Sequence, residues 1–353
     1  RMLNTDYPEA WYTDFDDPRL GGFDAGDFTK LDRLLEESGK GIALFNRIDL
    51  AAGWIEFCDR KIRQGIKIVS TVSLETLLRL AKAERPDGTG AVPDIFSLRR
   101  LDLFSYNEFL SFTHKPAGEQ AVNEFLSRGA FPGLIKTGHT EALHQLYTEI
   151  LCKDAVIAGG IRDRNTLQRM ALHLITNTGE PVTANKLREK LKIKAVSTAA
   201  EHMQCIETAG LVRFVSILSD NPARQAVNPR KVYAVDTALA AAVSTAETVD
   251  RNKLFETMLF NHLCRESRSV CYTNEQGGCD FIASDAEGGV RCIQAGYDDD
   301  PDLMQTKTDG LLWALRQTGA SRGTIVTADR NDRIDAENFE IEVIDADTFL
   351  GGY

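Results

Sequence analysis

The side chains best suited to chemistry are basic ones gathered in one stretch. Between Pro181 and Asp236 the sequence carries Lys186, Arg188, Lys190, Lys192 and Lys194, then Arg224, Arg230 and Lys231. Over residues 165–236 ten Lys and Arg stand against six Asp and Glu, a net of +4 in a chain that is −11 overall. A basic island in an acidic chain is suited to contacting phosphate oxygens. Other chemistry is poorly signalled. The seven cysteines are scattered and none forms a C-x-x-C pair, which argues against a metal knuckle and against a disulfide framework. His139 and His144 share no acid partner, so a surface placement is expected. No G-x-x-x-x-G-K-[ST] phosphate loop occurs.

The elements that would position the basic residues can be read locally. Thr183 is placed to cap a helix over 184–191, with Leu187 and Leu191 on one face. Ser197 offers a cap for a second helix. There Val196, Ala199, Ala200, Met203 and Ile206 follow the spacing of a buried stripe, while Ser197, Glu201, Gln204 and Thr208 point outward. Gly210 is the expected left-handed stop. Residues 211–218 alternate as a strand, 219–229 are rich in turn formers, and 231–235 form a returning strand. Helix, helix, strand, polar loop, strand is the pattern of a winged helix-turn-helix. It places the second helix in a DNA major groove, with Gln204 or the hydroxyls reading bases. A winged helix used only for packing or protein contact is the other reading.

At 353 residues, 43% apolar and 26% charged, the chain is long enough for two or three cored domains. It has no apolar run long enough to span a membrane and no signal-peptide pattern, so a reducing cytoplasm is expected. It begins at Arg1 inside what reads as a domain, so a preceding segment is expected. Residues 1–110 alternate strand and helix: strands at 10–15, 41–45 and 66–71, helices at 28–36, 54–63 and 74–83. This predicts a parallel, doubly wound sheet, which binds ligands at the carboxyl ends of its strands. A polar loop follows at 84–94. Arg99 and Arg100 beyond it could reach a phosphate, and otherwise read as a solvated strand edge.

The runs GIALFNRIDLAAGW, IKIVSTVS and LDLFSYNEFL resemble prokaryotic AAA-superfamily ATPases that carry a C-terminal restriction-endonuclease-like domain of unknown function. EFLSRGAFPGLI resembles that family's Gly-Gly-Phe-Pro-Glu turn, and Lys153-Asp154 its Arg-Asp pair. The resemblance implies a Walker B strand ending in Asp-Glu, but those positions are Asn46 and Arg47. Asn is a poor substitute for a charged metal partner, and Arg cannot serve as a base. Asp49 comes two positions late. Thr71 and Ser73 are the remaining candidates for a vestigial nucleotide site, and ATP and Mg²⁺ are the cofactors the resemblance implies.

The last domain resembles PD-(D/E)xK nucleases in its order of helix with Glu, strand with Asp and strand with Glu-x-Lys. That chemistry needs two or three carboxylates around a divalent metal and a Lys to position water. Glu256 and Asp280 match the carboxylates and are the metal candidates, whereas Gln294 and Gly296 stand at the Glu-x-Lys positions. One carboxylate and the family's amine are therefore missing. Gly277-Gly278 reads as a hairpin turn, and Asp298-Asp299-Asp300 as a solvated turn. Residues 281–353 carry 15 Asp and Glu against six Lys and Arg, which repels nucleic acid.

The expected architecture is α/β. A degenerate P-loop AAA-like parallel-sheet domain spans 1–112, a helical lid or linker 113–164, a winged helix-turn-helix 165–245 and a PD-(D/E)xK nuclease-like α/β domain 246–353. The expected function is that of a catalytically degenerate ATPase-like scaffold or regulator. It would bind DNA or a protein partner through Lys186, Lys190, Lys192, Lys194, Gln204, Arg224 and Arg230. The alternative is an active ATP-dependent ATPase or nuclease whose phosphate loop lies upstream of residue 1.

Overall fold

The computed structural model describes residues 7–82, 96–136, 140–152, 155, 161, 163–219, 221, 229–244, 250–297, 301–336 and 338–352. The chain divides into two compact units, Arg1–Leu101 and Asp102–Tyr353. The first boundary precedes the expected one at 112 because residues 102–113 belong to the second unit. There Ser105 and Glu108 form a capping box, and the Tyr106 hydroxyl donates to Asp347 near the far end of the unit at 2.5 Å.

In the first unit the strands β1 (Ala10–Asp14), β2 (Ile42–Asn46) and β3 (Lys67–Ser70) alternate with the helices α1 (Phe28–Ser38), α2 (Trp54–Arg63) and α3 (Leu74–Lys82). The strands are parallel in the order β1-β2-β3, with Asp14 opposite Asn46. This is the expected parallel sheet. Period-two alternation buries Ala43 and Phe45 of β2, and Phe28 of α1 stacks on Phe57 of α2 with ring centroids 4.4 Å apart. Val69 on β3 is 64% exposed. Arg99 and Arg100 are exposed but in no strand.

The second unit opens with α4 (Tyr106–Thr113), α5 (Glu119–Arg128), α6 (Pro132–Ile135), α7 (Thr140–Ile150) and α8 (Arg164–Thr176). Then come β4 (Pro181–Val182), α9 (Ala184–Leu191), α10 (Val196–Thr208), β5 (Val212–Val215), β6 (Arg230–Ala234) and α11 (Thr237–Val243). β4, β6 and β5 form an antiparallel sheet with β6 central. Thr183 caps α9 through the Lys186 amide as expected, and Lys192 closes it in the left-handed region.

Several local expectations need correction. The N-cap of α10 is Ala195, without a side-chain bond, and Ser197 lies inside the helix. Its buried stripe is Ala199, His202, Met203 and Ile206, while Val196 and Ala200 are exposed. The spacing rule holds, but the stripe begins at Ala199 instead of Val196. The strand expected to run to 218 stops at Val215. Ser216 to Leu218 turn to pair with Tyr272, whose amide donates to the Ser216 carbonyl at 3.2 Å while its carbonyl accepts from Leu218 at 2.7 Å.

Gly129 explains the turn after α5. It has φ +70°, and a Cβ there would lie 2.4 Å from the Asp236 carboxylate oxygens. Asp236 is buried, accepts from the Ala130 amide at 2.6 Å and caps α11 through the Leu239 amide at 2.7 Å.

The rest of the unit runs α12 (Arg251–Glu266), β7 (Ser269–Thr273), β8 (Cys279–Ser284), β9 (Val290–Gly296), α13 (Pro301–Thr318), β10 (Arg322–Thr327), β11 (Asp332–Ala336), β12 (Phe339–Asp345) and α14 (Ala346–Gly351). The sheet order is β11-β12-β10-β9-β8-β7, antiparallel among β7, β8 and β9 and parallel from β9 through β10 to β12. Gly277 and Gly278 lie between β7 and β8 as expected, but within a 3-10 turn (Glu275–Gly277) and its cap instead of a two-residue hairpin. Residues 153, 154, 139 and 298–300 lie outside the described residues.

Candidate functional site

The helix glutamate and strand aspartate singled out in the sequence meet. Glu256 projects from α12 and Asp280 from β8, and both accept from one ammonium, that of Lys231 on β6. Lys231 Nζ lies 2.8 Å from Glu256 Oε1 and 3.1 Å from Asp280 Oδ1. Asp280 Oδ2 accepts from Lys307 Nζ of α13 at 3.0 Å and from the Ala295 amide of β9 at 3.1 Å. The Tyr233 hydroxyl, two residues along β6 from Lys231, donates to Glu256 Oε1 at 2.5 Å. Three strands of two sheets and two helices therefore converge on two carboxylates and two ammoniums.

Gln294 stands in the third position and is 1% exposed. Its Oε1 accepts from the Asp280 amide at 3.0 Å, and its Nε2 donates to the carbonyls of Gly278 at 2.7 Å and Lys307 at 3.0 Å. It thereby fixes the backbones that carry Asp280 and Lys307. Gly310 brings α13 this close: a Cβ there would meet the Gly278 carbonyl oxygen at 1.9 Å.

Electrostatics separate the two acids. Burial favours the neutral form of each. For Asp280 the charges of Lys231 and Lys307 and the Ala295 amide overcome burial and hold its pKa well below the usual carboxylate range. Glu256 is raised, by burial and then by the Asp280 charge, against the pull of Lys231. Lys231 is itself penalised by burial, but the two carboxylates raise it above an ordinary lysine. In the cluster two ammoniums balance two carboxylates in formal charge.

These residues do not suit a resident divalent cation. Both carboxylates already face the Lys231 ammonium, and the third position offers an amide whose oxygen is used. Among the described residues no group of three or more His, Cys, Asp and Glu could hold a metal. Gly296 supplies no amine, as expected, but Lys231 and Lys307 each bring one to Asp280. Sequence reasoning missed Lys231, Tyr233 and Lys307 as site residues, although signals existed. Lys231 and Tyr233 share one face of β6 by strand parity. Lys307 precedes the buried Leu311 and Ala314 of α13 by four and seven residues, which puts it on the buried stripe.

The carboxyl ends of the first unit's strands hold the other candidates. Asn46 donates through Nδ2 to Asp14 Oδ1 at 2.9 Å and accepts at Oδ1 from the Thr71 hydroxyl at 2.7 Å. The Arg47 amide donates back to Thr71 Oγ1 at 2.9 Å, with Arg47 in the left-handed region at φ +50°. Ser73 Oγ accepts from the Thr76 amide at the start of α3. Asp49, 5% exposed at its side chain, pairs with Arg47 and accepts from the Ser73 amide at 3.1 Å and the Thr76 hydroxyl at 3.1 Å. Asn46, Thr71, Ser73 and Asp49 thus spend these polar atoms on one another and on Asp14, Arg47 and Thr76. Their arrangement ties the strand ends together and does not suit Mg²⁺ with a nucleotide.

The basic stretch divides. Lys186, Lys190, Lys192 and Lys194 are exposed on α9 and the turn after it, and Gln204 is exposed on α10. Arg230 is half-buried with its guanidinium 4.5 Å from the Phe214 ring centroid. Arg224 lies outside the described residues. Lys231 is withdrawn from the basic surface, because two half-buried carboxylates hold it.

Residues 119–250 match the family model for a domain of unknown function, DUF8612. The match covers less than half of the chain. It contains α9, α10, the basic residues and Asp236, and it ends before Glu256. No curated protein matches the chain.

Proposed function

We propose that this chain is a non-catalytic scaffold or regulator that binds duplex DNA through a winged helix formed by α8, α9, α10 and the β4-β6-β5 sheet. In this reading the first unit is a degenerate AAA-like ATPase core. The six-stranded sheet with α12 and α13 is a degenerate nuclease-like domain, and the protein acts in the cytoplasm. The observation that carries the proposal is the exposure of four ammoniums, Lys186, Lys190, Lys192 and Lys194, on one helix and its following turn. Leu187, Leu191 and Ile193 are buried between them, so the lysines are held on a packed frame. Among the described residues no helix is long and apolar enough to cross a membrane.

The test is fluorescence anisotropy with a labelled duplex over a salt series. Binding is expected to weaken steeply with salt. Changing Lys190, Lys192 and Lys194 to Ala should flatten the slope of log K against log salt by roughly 0.9 per phosphate contact removed. Salt-independent binding, or a slope the triple variant leaves unchanged, would overturn the proposal. A protein partner then becomes the better reading for this surface.

A second reading, an active nuclease, draws on Lys307, which sets an amine 3.0 Å from Asp280. The sharing of Lys231 by Glu256 and Asp280 favours the non-catalytic reading. Incubation of duplex DNA with the protein and Mg²⁺ or Mn²⁺ is expected to give no cleavage.

A further inference from the structure

The resemblance to PD-(D/E)xK nucleases implies a divalent cation between a helix glutamate and a strand aspartate. The geometry at that place is different. Lys231 Nζ is within 3.1 Å of an oxygen from each acid, and its position is fixed from every side. Tyr233 from the same strand orients Glu256, and Lys307 and the Ala295 amide hold the far oxygen of Asp280. The Lys231 ammonium also lies 5.5 Å from the centre of the Tyr272 ring, whose own hydroxyl donates to the Pro229 carbonyl at 2.6 Å. A divalent cation sharing those oxygens at roughly 2.0–2.6 Å would sit against the ammonium and be repelled by it.

We infer that Lys231 is the built-in cation of the Glu256–Asp280 site: a lysine tethered on β6 takes the position of a divalent metal and closes the site to one. The consequence is structural. A freely exchanging ion would bind only α12 and β8, whereas Lys231 also fastens the small sheet to them. The clamp requires no metal and resists chelators. Two ammoniums balance two carboxylates, so the half-buried cluster has no charge left for an ion to neutralise.

The inference is tested on the full chain by Mn²⁺ titration, followed by electron paramagnetic resonance of free Mn²⁺ and by thermal unfolding. In the native protein, Mn²⁺ and EDTA are both expected to leave the melting temperature unchanged. In Lys231→Ala the melting temperature should fall, and Mn²⁺ should raise it again. The variant's Mn²⁺ affinity should exceed that of the native chain by roughly tenfold or more, and adding Glu256→Gln should abolish the gain. Lys231→Met keeps the stem beside Tyr272 and serves as the second variant if Lys231→Ala does not fold. Stoichiometric Mn²⁺ binding by the native chain that Glu256→Gln weakens would overturn the inference. So would a folded Lys231 variant that binds no more Mn²⁺ than the native protein.

Discussion

Two acids, the half-buried Asp280 and the buried Asp236, show how position sets the behaviour of one residue type. Asp280 is ionised because two lysines and an amide face it. Asp236 has only backbone amides for partners, and burial raises its pKa from 3.8 to about 6. Its folded-state pKa lies above the unfolded one, so its contribution to stability is complete below 3.8 and is lost as pH rises through about 6. The shift corresponds to about 3 kcal/mol. Asp236→Asn should therefore remove a fall in stability over that window, as measured by urea unfolding at a series of pH values. In the ion cluster, Tyr233→Phe removes a donor to the half-buried Glu256 carboxylate and should cost about 1–2 kcal/mol. Lys231→Met should cost more, about 3–5 kcal/mol, because it leaves Glu256 and Asp280 facing each other. A double-mutant cycle with Glu256→Gln should return a coupling energy well outside additivity.

Elements are brought together at glycines where no side chain fits. α13 reaches the β7–β8 connection only because Gly310 lies against the Gly278 carbonyl. Gly310→Ala should push α13 outward, lengthen the Lys307–Asp280 contact and destabilise by about 1–3 kcal/mol or more. Gly129→Ala meets both a positive φ and the Asp236 carboxylate, so a comparable loss is expected. Gly133 in α6 is the control. A Cβ there meets nothing within 4 Å, so Gly133→Ala should be neutral or slightly stabilising. Thermal melts of the three variants separate these outcomes.

At the scale of the whole molecule, each unit has its own apolar core. That of the first gathers Phe28, Phe45, Phe57 and Trp54; the second has a large cluster running from Tyr106 to Leu350 and a smaller one around Leu311, Leu315, Ile325 and Ile341. A fragment spanning 102–353 should therefore unfold cooperatively by circular dichroism and keep the salt-dependent DNA binding proposed for α9 and its turn. A fragment that binds DNA as tightly after loss of the four lysines would place the interaction elsewhere. Charge is divided along the sequence as well: the net of +4 over 165–236 contrasts with −9 over 281–353, so the proposed DNA contact falls on the basic part.

Local patterns were enough to determine much of this chain. Hydrophobic periodicity placed the strands of the parallel sheet, the helices α2, α9 and α12, and the Thr183 cap, because each depends on residues a few positions apart. Glu256 and Asp280 were singled out through the resemblance to nucleases, and the fold brings both to the Lys231 ammonium. Their partners were decided only by tertiary structure. Lys231 is 25 residues from Glu256 and 49 from Asp280, on a strand whose neighbouring arginine suggested an exposed basic wing. Whether a lysine faces solvent or a buried carboxylate depends on what packs over its strand face, and that is set by α12, β8 and α13 arriving from elsewhere in the chain. In the same way, Asn46 and Thr71 could be recognised as strand-end polar residues, but their mutual hydrogen bonds follow from strand order. A one-dimensional pattern fixes which face a residue occupies, and the fold fixes what that face meets.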